Sequence, residues 1–247
     1  TIDGATWDTD VPSLVQTTFQ PQTKQELQAA VDLWADDNAT ALSTYGEINS
    51  WDVSLITDMS DLFIYKSTFN SDISNWDVSN VTDMNHMFKD AFIFNQDLSS
   101  WDVSLVTNMN QLFKDGFEFN QDISSWDVSS VLNMAAMFKN ATSFDQNLSN
   151  WNVSNVTNMS SMFTNTPFNQ DISSWDVSNV TNMNSMFSNA SLFNQDLSTW
   201  NVSSVEKMNG TFSAAQNFNG NISDWDVSNV ETMHNMMRGS NFNGDIS

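Results

Sequence analysis

Apolar residues return along this chain in one fixed register. In FNSDISNWDVSNVTDMNHMFKDAFI, residues 69–93, the apolar slots are Ile73, Trp76, Val78, Val81, Met84, Met87 and Phe88, framed by Phe69 and Phe94. The next copy fills them with Leu98, Trp101, Val103, Val106, Met109, Leu112 and Phe113. Trp51, Trp76, Trp101, Trp126, Trp151, Trp175, Trp200 and Trp225 mark the register. Every interval is 25 residues except the 24 between Trp151 and Trp175. A constant period in this range denotes stacked repeat units. So short a unit buries too little apolar surface to offset its chain entropy, and neighbouring copies must cover both its sides.

Two periodicities alternate inside each unit. Trp76 and Val78 alternate with Asn75, Asp77 and Ser79, which predicts a short strand with one buried face. Val81, Met84, Met87 and Phe88 follow at spacings of three and four, which predicts a short helix or 3₁₀ segment capped by Ser79. Phe-Asn-x-Asp at 69–72 supplies the turn to the next strand. Upstream, Leu27, Ala30, Val31 and Trp34 recur at helical spacing within QTKQELQAAVDLWADD, residues 22–37, predicting an amphipathic helix that caps the first coil. The chain divides into a lead-in with its capping helix, residues 1–47, and a repeat region, residues 48–247. The sequence ends at Ser247, inside a unit and two residues before the next expected Trp, so further chain or another molecule is expected to cover that end. The expected fold is an α/β solenoid of about eight coils, with an all-β parallel helix as the alternative.

Charge narrows the partners. Thirty Asp and Glu against 7 Lys and Arg give a formal net charge of −23, which repels nucleic acid and anionic membranes. Cations, basic proteins and polar glycans suit such a surface. Periodic apolar residues, 40% of the chain, argue against disorder. The absence of a long apolar run excludes membrane insertion within this chain. With no cysteine there are no disulfides and no thiolate metal sites.

The unit FNQDISSWDVSNVTNMNSMF at 168–187 closely resembles the repeat of the BspA-type leucine-rich-repeat surface proteins, above all the subfamily found in mycoplasma-type lipoproteins. The resemblance spans residues 48–247, and ELQAAVDLW…YGEINSWDVS resembles that subfamily's lead-in. It implies a right-handed, leucine-rich-repeat-like stack on a cell surface or outside the cell, used in adhesion and protein–protein interaction, with no catalysis by the repeat. Ile73-x-x-Trp76-x-Val78 fits the L-x-x-L-x-L core of such repeats, although Val81 stands where their Asn belongs.

Two acidic ladders carry the candidate chemistry. One follows each Trp: Asp52, Asp77, Asp102, Asp127, Asn152, Asp176, Asn201 and Asp226. The other precedes Trp by four: Asp72, Asp97, Asp122, Asn147, Asp171, Asp196, Asn221 and Asp245. Rows of like charge repel, so something must offset them. Hydrogen bonds from turn N–H groups or Ser hydroxyls would do so. Calcium held by Asp72, Asp77, Asp97, Asp102, Asp122 and Asp127 is the alternative. Asp52, Asp176 and Asp226 extend the candidate interaction face. Ser54, Ser79, Ser104 and their equivalents read as caps rather than nucleophiles. The two histidines, His86 and His234, stand six coils apart, too far for a shared metal or a Ser-His-Asp site. Lys89, Lys114, Lys139 and Arg238 share one slot, suited to a helix C-terminus. Asn38, Asn140 and Asn189 begin sequons in expected loops and are candidate glycosylation sites.

Together these features predict a non-enzymatic scaffold for protein or glycan ligands. The alternatives are a filament or matrix component stacking end to end, a calcium-stabilised acidic solenoid, and ice binding through the column Thr57, Thr82, Thr107, Thr157 and Thr181, which Leu132 and Glu206 interrupt.

Overall fold

The structure is a computed structural model and describes residues 18–244. Asp245 of the second ladder and the chain end at Ser247 lie outside the described residues. The predicted helix is present as α1, Lys24–Asp36, which buries Leu27, Ala30, Val31 and Trp34. Thr23 caps it by accepting from the Glu26 N–H, while the Glu26 carboxylate accepts from the Gln22 N–H, so two end donors are satisfied together. The Asp37 side chain accepts from the Thr40 N–H and starts α2, Asn38–Tyr45. Gly46, at φ +75°, ends it in a conformation that glycine adopts without a Cβ clash. A single 3₁₀ turn, Ile48–Ser50, leads into Trp51.

From Trp51 onward the described residues form neither a helix nor a strand longer than a single bridge. Among the described residues there is no sheet, so the expected α/β solenoid of leucine-rich type is wrong, and so is the all-β parallel helix. The coils do stack, but they are built from turns.

The backbone explains why the predicted helix over Val81–Phe88 does not form. It enters the left-handed region twice per coil, at His86 and Asp90, then at Gln111 and Asp115, Ala136 and Asn140, and Ser161 and Asn165. Such residues cannot continue a right-handed helix. The N–H groups divide instead. Those of Met59, Asp61, Phe63 and Tyr65 donate to the carbonyls of Asp83, Asn85, Met87 and Lys89 in the next coil at 2.8–2.9 Å. Those of Leu62, Ile64 and Lys66 close turns onto Met59, Asp61 and Phe63. The same alternation recurs in the following coils.

The predicted strand fails for a related reason. Trp76 and Val78 are buried and Asp77 is exposed, as the alternation requires. However, the Trp76 N–H closes a turn on the Ile73 carbonyl, and the Val81 N–H closes one on Val78. Single parallel bridges lie elsewhere, running Asp58, Asp83, Asn108, Asn133, Asn158, Asn182, Lys207, Thr232.

Three aromatic columns fill the interior. Phe63, Phe88, Phe113, Phe138, Phe163, Phe187 and Phe212 stack at 5.1–5.9 Å between neighbours. Phe69 and its equivalents form a second column, joined to the first within each coil at 3.7–4.2 Å. The tryptophans form the third, and from Trp76 onward each also reaches back one coil. The indole N–H of Trp101 donates to Ile73, that of Trp126 to Leu98 and that of Trp151 to Ile123, at 2.9–3.2 Å. The ring thus fills the core while its donor satisfies a buried carbonyl.

The 24-residue step is a shortened corner, as expected. At Thr166-Pro167 the Thr166 hydroxyl donates to the Phe163 carbonyl at 2.9 Å, replacing the backbone bond made by Ala141 to Phe138 one coil earlier. Phe168 still stacks on Phe144 and Phe193, and Trp175 on Trp151. Helix α1 covers the first coil. The Gln28 amide donates to the Leu62 carbonyl, which corresponds to the Met87 carbonyl that accepts from Phe63 one coil later. Lys24 pairs with Asp58 at 2.9 Å and Lys66 with Asp32 at 2.9 Å.

The turn geometry makes a signed prediction at Ala136, where φ is +53°. Glycine there relieves the left-handed strain, so Ala136→Gly is expected to raise the unfolding free energy by roughly 0.5–1 kcal/mol in denaturant titration. In a helix the same change would lower it by a similar amount, and that result would reject the turn geometry.

Candidate functional site

Both acidic ladders are built as Asx turns. The Asp77 carboxylate accepts from the Ser79 N–H at 3.1 Å and from its hydroxyl at 2.6 Å, and Asp52 holds Ser54 in the same way. Asp102 and Asp127 accept from the N–H groups of Ser104 and Ser129, as Asp176 and Asp226 do from Ser178 and Ser228. In the second ladder Asp72, Asp97 and Asp122 accept from the N–H groups of Ser74, Ser99 and Ser124 at 2.8–2.9 Å. Asn147, Asn152, Asn201 and Asn221 make the same bond through a neutral oxygen. The turn therefore needs an acceptor rather than a charge, and the serines serve the carboxylates instead of capping helices.

These bonds set the electrostatics. Hydrogen bonds from the following Ser hold the carboxyls of Asp52, Asp97, Asp102, Asp122, Asp127, Asp176 and Asp226 below the usual carboxylate range. Their stabilising contribution is complete above the ordinary Asp value and is lost as pH falls through the lowered values, below about pH 4. Asp90 runs the other way: burial, and then the neighbouring Asp115 carboxylate, push its pKa up. Among the described residues no three His, Asp or Glu side chains gather where they would share a metal ion. The six candidate calcium ligands stay in their two separate ladders, each with a protein donor.

Three polar columns were not singled out from sequence. Asp58, Asp83, Asn108, Asn133 and Asn158, at the bridge positions, also accept from the N–H two residues on. Asn70, Asn95, Asn120, Asp145, Asn169, Asn194 and Asn219 each accept from the backbone N–H of the equivalent residue one coil later, at 2.7–3.1 Å. The recurrent Phe-Asn or Phe-Asp pair of every unit was the signal for them. The third column occupies the second left-handed position. There the Asn140 amide donates to Asp115, Asn165 to Asn140 and Asn189 to Asn165.

Two candidate glycosylation sites, Asn140 and Asn189, therefore have their amide nitrogens engaged between coils. Asn38 is exposed as the first residue of α2 rather than in a loop. Lys89 and Lys114 follow no helix, which removes the expected dipole contact. Lys89 lies 5.4 Å from the Tyr65 ring and Lys114 3.6 Å from Asp115. His86 meets Asp61 at 3.0 Å, whereas His234 is exposed in the last coil. The hydroxyls of Thr82, Thr107, Thr157 and Thr181 donate to carbonyls one coil back. No helix among the described residues is long and apolar enough to cross a membrane.

A family model described as "Mycoplasma protein of unknown function, DUF285" matches residues 34–151, 101–167 and 142–247. The chain belongs to this family. The match begins at Trp34 in α1 and runs through the whole coil stack, so the DUF285 repeat is the turn-built coil described above. No curated protein matches the chain significantly.

Two outcomes follow for the ladders. Asp102→Asn is expected to leave stability at pH 7 within about 0.5 kcal/mol, as Asn152 and Asn201 already do this task, whereas Asp102→Ala loses about 1 kcal/mol with the turn acceptor. Equal losses in denaturant titration would show that the charge itself matters. Adding millimolar calcium to chelator-treated protein is expected to move the thermal midpoint by less than ~2 °C, and a larger rise would place the cation in the ladders.

Proposed function

We propose that this protein is a non-enzymatic repeat scaffold, extracellular or on a cell surface in the manner of BspA-type surface proteins, that binds a protein or glycan along its acidic columns. One observation carries the reading. Asp77, Asp102, Asp127, Asp176 and Asp226 stand exposed in a row, and each is locked by the Ser two residues on. A row of preset acceptors loses little side-chain entropy on binding, and a net charge of −23 draws a cationic partner toward it. Intervening Ser and Asn groups suit the hydroxyls of a glycan as a second class of ligand. End-to-end stacking has less support, because α1 occupies the face of the first coil.

The triple variant Asp77→Asn, Asp102→Asn, Asp127→Asn keeps the turns and removes three charges. Its binding to a lysine-rich peptide is expected to fall at least tenfold, with a shallower salt dependence. Unchanged affinity would remove this row as the contact surface. Labelling of intact source cells by an antibody to the folded chain tests the placement, and labelling only after permeabilisation would overturn it.

A further inference from the structure

Successive coils turn one corner on an Asn-Gln pair, as at Asn95-Gln96, Asn120-Gln121, Asn169-Gln170 and Asn194-Gln195. The pair clamps the corner of the coil before it. The Asn120 N–H donates to the Asn95 side-chain oxygen at 2.9 Å, and the Gln121 amide adds a second bond at 3.0 Å. Gln146 and Gln195 do the same for Asn120 and Asn169 at 2.9–3.0 Å. The clamp is lost in the last two described corners, which read Asn219-Gly220 and Asn243-Gly244. The Asn219 side-chain oxygen keeps a single donor, the Asn243 N–H at 3.1 Å. Among the described residues neither its amide nitrogen nor the Gly220 N–H has a protein partner, and Asn219 is exposed.

Another Asn-Gly pair supplies the contrast. Asn209 is tied at each atom that would have to react. Its oxygen accepts from the His234 N–H, its amide nitrogen donates to the Thr232 hydroxyl, and the Gly210 N–H donates to the His234 carbonyl, all at 2.8 Å.

We propose that Asn219 is a self-modifying site, at which the chain deamidates and re-routes its own backbone. The Gly220 nitrogen loses its proton and bonds to the Asn219 amide carbon. The Cγ–Nδ2 bond breaks, and ammonia leaves with a proton. One water then opens the five-membered imide, with no change of oxidation state. Opening at Cγ restores the main chain with aspartate at this position. Opening at the other carbonyl runs the main chain through the side chain, as isoaspartate. Glycine admits the attack, because no side chain shields its nitrogen and its backbone rotates freely. The bond from Asn243 polarises the carbon under attack and leaves the departing nitrogen free.

The two products affect the stack differently. Aspartate keeps the corner, since Asp145 already stands in this column and accepts from the Asn169 N–H at 2.9 Å. Isoaspartate adds an atom to the main chain where there is no room for one. Even a Cβ on Gly220 would overlap the Gln195 carbonyl oxygen. The Trp225 coil then loses its register on the Trp200 coil, and residues 219–244 open.

Peptide mapping by mass spectrometry of the full chain, aged in warm neutral buffer, tests the proposal. In the folded protein Asn219 is expected to convert at least tenfold faster than Asn209, whereas in denaturing urea the two convert at similar rates. Asn169 and Asn194, each followed by Gln, are expected to stay intact over the same time. Limited proteolysis reads the consequence. Nicking within 219–244 is expected to rise with the isoaspartate fraction, measured with an isoaspartate-specific methyltransferase, while Asn219→Asp stays as resistant as fresh protein. Conversion of Asn209 as fast as Asn219 in the folded chain overturns the proposal. So does an Asn219 that reacts only in urea, or an isoaspartate form as resistant as fresh protein.

Discussion

Every coil leaves alternate backbone N–H groups pointing along the stack, and only the next coil satisfies them. That is the constraint on which the rest depends. Once Met59, Asp61, Phe63 and Tyr65 send their donors to the following coil, the intervening residues are confined to tight turns. Two of the residues in each such stretch must then adopt a left-handed backbone. The aromatic columns fit around this frame, with Phe closing one wall and Trp the other. Unpaired buried amides cost free energy comparable to a lost hydrogen bond, so an isolated coil is penalised twice, in exposed apolar surface and in orphan donors.

Side chains extend the same principle. The Asx turns of the two acidic ladders, the Asn70-type column and the tryptophan indoles each satisfy a backbone group that the turns leave over. Polar residues are therefore as structural here as the core. This accounts for rows of carboxylate that stay in place: each has a donor two residues away. The charge is surplus to the turn, and so is available to a partner.

Much of the architecture was legible in the sequence. The register, the buried slots, the α1 helix and the harmless 24-residue step all follow from periodicity. The backbone between the slots did not. Spacings of three and four at Val81, Met84, Met87 and Phe88 suit a helix, and the left-handed residues between them are Asp61, His86, Gln111, Ala136 and Ser161, none of which announces itself as glycine does. Only Gly210 and Gly239, late in the chain, and the Asn-rich second column at Asn140, Asn165 and Asn189 hinted at the reversal. Asp72 was read as part of a turn, but Asp77 was placed on the face of a strand and Ser79 at the start of a helix, and neither element forms. The exposed Phe92 and Phe117 were hidden by a register that reads aromatics as core.

The Gln28 amide takes the place of a backbone donor for the first coil. A side chain that imitates a neighbour's main chain makes the cap blind to what lies behind it. Coils can be duplicated or deleted downstream without redesigning the lead-in, provided whole units are exchanged. Length is thereby separated from stability at the capped end, and the reach of the molecule becomes a quantity that can be adjusted one repeat at a time.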